Sequence, residues 1–545
     1  MLIDFNKHID VGLDCDICIV GGGAAGAVLF DMLNRTRLKI ILIESGDILP
    51  DSQINELNGG YQKLNGIWRD ISAPNPLLNR SRSLGGTTNM WAGACHTFTD
   101  FDFEHRSWVK DSGWPITLSD LGRHYREAKR YVEISTDVFD ERLWADIGMP
   151  RPYKPNSQEI STTFSVRSGF LSERGYLDWP GPINFSKYLT SPEARNSGNK
   201  VLYNATLTDL KSGNAKSVRY GVVSNANLQR RKIRARAYVL AAGGWENPRI
   251  MLCANGGAGI GNETDCVGRY YLAHPHGIPA DLICPNKAVS TELSWKFAYH
   301  KVGRNRAQPY ITWKGDAQRR NQLLSSCIQF APDFDTNSAV YKAMRLRDQF
   351  QQGGLSAVDL SISDLSLLLS EIDDVLVGAF RKWSDRGVNA RMLEKIPLIY
   401  VQEGTPKRHS RVYLSDDRDK FDLRKIVLDM YFDEQEIKNL YSTFKLFAAN
   451  SRDLGWGRIQ FREQADTNST EPLRGLQEAA HPSGTTRMSD SAMTGVVDKN
   501  LRVHSTRNLF VCGSSVFPTN GWISPTYTIV ALAIRLAEHL RSSLE

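Results

Sequence analysis

The sequence predicts an α/β fold built on a strand–helix–strand unit near the N-terminus and completed by a strand–helix pair at the C-terminus. Three stretches predict it. Ile17 to Val20 is a short apolar run that ends in a glycine cluster, where Gly21, Gly23 and Gly26 spell G-x-G-x-x-G. Ala24 to Asn34 reads as a helix, and Ile40 to Ile43 as a second buried strand with Glu44 at its end. Asn508 to Gly513 is another buried strand ending in glycine, and Pro525 to Leu540 is an apolar helix opened by a proline at its first turn.

The order of the first pieces carries chemistry. In such a unit the first glycine makes a tight turn, the second admits a pyrophosphate to the backbone, and the third lets helix and sheet pack closely. The N-terminal N–H groups of the helix then face the phosphates. A carboxylate at the end of the second strand can accept both ribose hydroxyls. A glycine turn alone is common, but strand, glycines, helix, strand and acid in sequence predict a dinucleotide site. An ordinary glycine turn would leave Glu44 without a role.

Length and composition set the frame. At 545 residues the chain exceeds one compact core, so about two or three domains are expected. Its apolar and charged fractions, 41% and 23%, are those of a globular protein. The net charge of +7 is mild, and its densest patch, QRRKIRARAYVL from Gln229, alternates basic with apolar residues. That pattern predicts a strand with one solvated face and not a nucleic-acid site. No apolar run approaches the ~18 residues that span a bilayer, and MLIDFNKHID lacks the layout of a signal segment. The expected location is cytoplasmic. Eight cysteines do not make a disulfide scaffold in so long a chain. Cys15 and Cys18 form C-x-x-C inside the first strand, where positions three apart face opposite ways, so no redox or metal role is expected.

From Glu44 to about Arg82 the chain reads as loop-rich and polar. SLGGTTNMWAGACHTF, from Ser83, is a tight backbone loop of small and hydroxylated residues. Ser119 and Asp120 look like the cap of a helix that runs to about Val132. Residues 135–182 read as an extended excursion with little regular structure. YVLAAGG from Tyr238 is a buried strand, and WENPRIMLCAN begins a helix behind it. A helical insert is expected over 333–394, where Leu365, Leu368, Leu369, Ile372, Val375, Leu376, Ala379, Phe380 and Trp383 form an apolar stripe expected to pack on the protein. Residues from Arg411 to Phe432 read as a hairpin, and Asp433 to Leu454 as a helix.

Taken together, IVGGGAAG with IESG, SLGGTTNMWAG, YVLAAGGWENPRIML, DCVGRYYLAHPHG, SRVYLS, HPSGTTRM and VVDKNLRVHSTRNLFVCGSSVFPT resemble the glucose–methanol–choline (GMC) oxidoreductases, flavoproteins that oxidise alcohols. The finer likeness is to the bacterial and pyranose-oxidase-like branches. The resemblance implies a discontinuous Rossmann-like FAD-binding domain plus an α+β substrate domain with an antiparallel sheet. The expected boundaries are 1–280 and 475–545 for the FAD domain and 281–474 for the substrate domain.

The resemblance also implies roles. Gly21, Gly23, Gly26 and Glu44 hold the adenosine end of FAD, and the loop Gly85 to Gly93, with Gly86, Thr87, Asn89 and Met90, runs along the isoalloxazine ring. Gly513 and Ser514 lie near the pyrophosphate or ribityl chain. His481 falls on the catalytic histidine, which takes a hydroxyl proton while the carbon gives hydride to flavin N5. Two positions depart from the family pattern. Met90 stands where covalently flavinylated members carry histidine, so FAD is expected to be non-covalent. Ser524 stands where a second histidine or an asparagine is usual, which leaves catalysis to His481 alone, to compensation by Asn520 or another group, or to a reaction other than ordinary alcohol oxidation. Trp522 and Tyr527 are expected to give the substrate aromatic walls.

The function expected is oxidation of a hydroxyl on a sugar, sugar-like or polyol substrate. The alternatives are a flavoprotein lyase and a binding protein that retains FAD without catalysis. Oxygen, a quinone and a protein all stay open as electron acceptor. No metal is expected.

Overall fold

The computed structural model describes residues 1–66, 75, 79–147, 157–170, 181–213, 216–331, 342–343, 346, 360–370, 395–462 and 476–545. Among these, strands assemble into sheets of eight, nine and three strands. The first sheet carries the predicted α/β unit. Leu2–Asp4, Lys200–Tyr203, Ile40–Ile43, Asp14–Val20 and Arg230–Leu240 lie side by side in that order, every neighbour parallel. Leu509–Val511 adds a parallel strand beside Tyr238–Leu240, so the C-terminal strand returns to the N-terminal unit across the whole intervening chain.

Arg230–Leu240 explains its own composition. Its basic first half pairs antiparallel with Ser217–Ser224 and alternates exposed with covered positions, whereas Ala237 to Leu240 is buried between parallel neighbours. The fully apolar run sits where both faces are covered, as parallel sheets require. The helix Thr526–Leu544 packs beside Ala24–Leu33 and Leu118–Val132, and its Val530, Leu532, Ile534 and Leu536 enter the core of this layer.

The second sheet is antiparallel throughout, in the order Arg458–Phe461, Pro275–Ile283, Lys395–Gln402, Ser326–Phe330, Asn305–Trp313, Ile160–Arg167 and Ala94–Cys95. It has a separate core around Leu282, Ile311, Phe330, Leu398 and Phe447. Several expectations need correction here. Residues 135–182 do contain regular structure, because Ile160–Arg167 is a full strand paired along Asn305–Trp313. The loop-rich stretch after Glu44 also holds an unexpected strand: Gly60–Gly66 runs parallel to Arg424–Phe432, the second arm of the predicted hairpin. The helix to Val132 begins at Leu118, and its cap lies two residues before the expected Ser119. Its cap is Thr117, which exchanges hydrogen bonds with Asp120 at N3 as a capping box.

The helix Glu434–Asp453 starts from Asp433, as predicted. Pro525 stands one place earlier than expected, at the cap of Thr526–Leu544. Of the expected insert, Ile362–Ser370 is helical; Leu368 is half-buried, but Leu365 and Leu369 are 48% and 63% exposed, so these two are not packed. Ile372, Val375, Leu376, Ala379, Phe380 and Trp383 lie outside the described residues. No described helix is long and apolar enough to cross a membrane.

Candidate active site

The turn after the first strand is shaped by contacts that exclude side chains. Gly21 has φ +105°, and a Cβ there would lie 2.7 Å from the carbonyl oxygen of Ala241. At Gly26 a Cβ would lie 1.9 Å from the carbonyl oxygen of Gly21, so the helix can settle onto the turn only as glycine. The loop from Gly85 locks against this turn. The Gly85 N–H donates to the Gly22 carbonyl at 2.9 Å, and a Cβ on Gly86 would reach within 2.9 Å of the Gly23 Cα. Two glycine-rich segments some sixty residues apart thus form one backbone surface.

Glu44 is buried and ties this surface together. Its Oε2 accepts the Gly22 N–H at 2.7 Å and its Oε1 the Gly46 N–H at 2.8 Å. Burial pushes its carboxyl above the usual range, opposed by those N–H groups and by Arg82. Arg82 is held beside it by Asn58, Ser45 and Glu246.

A cavity of about 470 Å³ opens along this surface. Gly21, Gly23, Glu44, Gly86, Thr87, Met90, Gly513, Ser514, His481 and Ser524 all reach its wall. Its floor is a cradle that a Cβ would fill. At Gly243 an added Cβ would meet no atom within 4 Å, and at Gly23 and Gly513 nothing nearer than 3.9 and 3.8 Å. The helix behind Gly23 has no side-chain cap, so its first N–H groups stay available to a phosphate. A long cavity wall of bare backbone, uncapped helix N-terminus and a buried acid fits FAD.

Other expected residues stand behind the wall. Gly26 shapes the turn from below, and Asn89 braces its own loop by donating to Ser83 Oγ and to the carbonyls of Leu84 and Gly86. Asn520 is buried, and its Oδ1 accepts the Gly404 N–H at 3.2 Å. Trp522 packs edge-on against His96, ring centres 4.8 Å apart, and leans on Tyr310. Tyr527 is fully buried against Tyr125. The expected aromatic walls are therefore not at the cavity. Cys15 and Cys18 are free thiols in the first strand, and no group of potential metal ligands occurs among the described residues.

His481 is half-buried and firmly placed. Its N–H and that of Ala480 donate to opposite oxygens of Glu478, at 3.1 and 2.7 Å. Ala480 has φ +56°, a left-handed turn that carries the chain from the strand Leu476–Glu478 into the cavity wall. Ser514 Oγ donates to the Pro482 carbonyl at 2.6 Å and Ser483 Oγ to that of His481 at 3.0 Å. Burial lowers the imidazole of His481 to about 4, with a smaller contribution from His276, so the ring is neutral at pH 7.

Three further residues surround it. His274 is buried with its Nδ1 3.1 Å from Nδ1 of His481. Glu478 holds the loop, and burial raises its carboxyl to about 7. His96 is buried close by and lowered to about 3, first by burial and then by Arg167. A base that is neutral, fixed and at a cavity wall beside a dinucleotide cradle can remove a proton from a bound hydroxyl. His274 lies in DCVGRYYLAHPHG, but 207 residues separate it from His481, and no local pattern reports that pairing.

Known proteins share this plan. Residues 406–533 match the model of the GMC oxidoreductase C-terminal region. The chain is 22% identical to paromamine 6'-oxidase of Streptomyces fradiae, covering 97% of this chain and 92% of that one. It is also 22% identical to the fructose dehydrogenase large subunit of Gluconobacter japonicus, covering 98% and 99%. Among solved structures, pyridoxine 4-oxidase from Mesorbium loti superposes with a TM-score of 0.54 at 17% identity, over 96% of this chain and 99% of that one.

Proposed function

The chain belongs to the GMC oxidoreductases, FAD-binding enzymes that act on CH–OH groups, and on that premise we propose that it oxidises a hydroxyl of a sugar, sugar-like or polyol substrate with His481 as general base. One observation carries the reading: His481, neutral and anchored by Glu478, shares a single cavity with the open glycine cradle. The substrate class is supported by two relatives over nearly the whole chain, one named for an oxidase of paromamine and one for a dehydrogenase of fructose.

In this reading Gly21 and Gly23, with the uncapped helix behind them, hold the pyrophosphate, and Gly26 keeps that helix close. Glu44 has lone pairs left for ribose hydroxyls after its two backbone bonds. Gly86, Thr87 and Met90 face the ring system, and Gly513 with Ser514 the chain that joins it to the phosphates. FAD, when bound, supplies the acceptor for the hydride that leaves the carbinol carbon. His481 takes the hydroxyl proton, which leaves a carbonyl product. Ser524, on the same wall, hydrogen-bonds the substrate oxygen but takes up no proton as a base at neutral pH. Asn520 and Trp522 act only from behind the wall, and we assign them no direct substrate contact.

The test is anaerobic mixing of the purified holoenzyme with a panel of sugars, polyols and simple alcohols while flavin absorbance is followed. Bleaching by a sugar or polyol is expected. Turnover without bleaching would mark a lyase, and neither would mark a binding protein.

A further inference from the structure

We propose that His274 is a positioning residue that fixes His481 in the tautomer with its proton on Nδ1, leaving the lone pair on Nε2. The proposal rests on the reading of His481 as the base and adds the residue that orients it.

Hydrogen-bond logic leads to this assignment. The two Nδ1 atoms lie 3.1 Å apart, so one must donate and the other accept. Nε2 of His274 settles which, because it lies 3.4 Å from the backbone oxygen of Asn520. Carbonyl oxygens only accept, so that nitrogen carries the proton. A neutral imidazole carries one proton, which makes Nδ1 of His274 the acceptor. His481 must therefore donate from Nδ1. The opposite assignment would set a lone pair of His274 against the Asn520 carbonyl in a buried place.

Neutrality of both rings is secured by burial, which takes His481 to about 4 and His274 to about 3. The titratable groups around the pair are His276 on the strand that follows His274, His96 from the neighbouring loop, and Glu478 beneath the His481 backbone. Arg167 bears on His96 and not directly on the pair.

The backbone enforces the pairing. Leu272 and Ser483 exchange both N–H to carbonyl hydrogen bonds, at 3.0 and 3.2 Å, as antiparallel partners. Two residues inward in the same register, His274 stands opposite His481. Beyond them Pro275 pairs with Glu478, and the two extra residues, Ala479 and Ala480, are absorbed in a bulge where Ala480 is left-handed. This supplies what Ser524 lacks: the second imidazole stands behind the base and orients it, where the usual partner would stand beside the substrate.

The experiment compares His274→Asn with His274→Leu, side chains of similar shape of which only Asn retains an acceptor near the place of Nδ1. Flavin reduction is measured by stopped flow, and the His481 tautomer by ¹⁵N NMR of histidine-labelled holoenzyme, assigned by the signal missing in His481→Gln. His274→Leu is expected to lower the reduction rate ~10–100-fold, the scale for losing an orienting partner, with KM nearly unchanged and a mixed tautomer at His481. His274→Asn is expected to restore most of the rate and the single tautomer. A wild-type His481 protonated on Nε2 overturns the proposal even if the Leu variant does not fold, and so do equal rates in wild type and the Leu variant. If His481→Ala still reduces flavin normally, the base assignment fails, while the NMR result still judges the orienting contact.

Discussion

The carboxylate of Glu44 accepts the backbone N–H of Gly22 at 2.7 Å, across the turn between the first strand and its helix. The acid therefore braces the glycine turn as well as facing the cavity. Glu44→Ala should weaken FAD binding by about 1.5–3 kcal/mol, the scale for losing charged hydrogen bonds. It should also lower the melting temperature of the FAD-free protein, because the N–H groups of Gly22 and Gly46 lose a buried acceptor. Fluorescence titration with FAD and thermal melts of the apoprotein separate the two effects. Unchanged affinity would place the ribose contact elsewhere.

Met90 is 55% exposed at the wall where a linking histidine would stand. A thioether forms no bond to the flavin ring of the kind an imidazole makes. Acid precipitation of the yellow protein should release FAD into the supernatant in full. Flavin retained in the pellet would contradict this and locate a link at another residue.

His481→Ala should keep FAD but reduce flavin ~10²–10⁴-fold more slowly, the usual contribution of a general base. The pH profile carries a sharper expectation. Burial lowers the folded-state value to about 4, below the ordinary 6.5, so the required neutral ring persists through mildly acidic pH. The acid limb of kcat/KM should fall near pH 4 and vanish in the mutant. A limb near 6.5 would mean that His481 is far better hydrated than its surroundings suggest.

The parts legible in sequence were those in which a local pattern coincides with a local constraint. Gly21, Gly26 and Glu44 lie in one strand–helix–strand unit, and their roles follow from adjacent residues. The same holds for the helix start at Asp433, where cap and first turn are contiguous. Pairings made only by the fold were hidden. Gly60–Gly66 reads as loop because its partner, Arg424–Phe432, lies far along the chain. Ile160–Arg167 is masked by proline- and aromatic-rich flanks, although it pairs fully with Asn305–Trp313. Trp522 and Tyr527 are close to Ser524 in sequence, but side chains at such spacing face different ways. One meets His96 and the other enters the core.

Stability should vary with pH through groups of opposite sign. Glu478 has its folded value raised to about 7, so its contribution is fully present below its unfolded value of 4.5 and is lost as pH rises through 7. His481 and His274 are lowered to about 4 and 3 from 6.5, so their contribution is present above 6.5 and is lost as pH falls toward those values. Acidification from pH 8 to 5 should therefore favour the fold through Glu478 and weaken it through the histidines. Glu478→Gln removes only the first effect, and the melting-temperature gap between wild type and this variant should widen as pH falls. A constant gap across that range would show that Glu478 does not titrate there.

Ser524 is where the chain departs from its family, and the structure changes what should be expected of it. The serine lies on the cavity wall with His481, just before the proline that caps the last helix. Trp522 and Tyr527 are not part of the cavity lining, whose tryptophans are Trp91 and Trp245, so the two aromatics beside Ser524 in sequence do not narrow the pocket there. Ser524 contributes its hydroxyl to the wall that also carries His481. If it orients the substrate oxygen, Ser524→Ala should cost about 1 kcal/mol in kcat/KM, one neutral hydrogen bond's worth. Ser524→Asn restores the usual hydrogen-bonding group but adds bulk at the wall. With a small alcohol it should match or exceed wild type, because the amide N–H takes the hydroxyl's place as donor to the developing alkoxide. With the true sugar or polyol it should raise KM if the space beside Ser524 holds part of the substrate. Flavin reduction by a large and a small alcohol in the two variants separates orientation from space. Equal losses with both substrates in Ser524→Asn would remove the spatial role, and wild-type rates in both variants would remove Ser524 from the site.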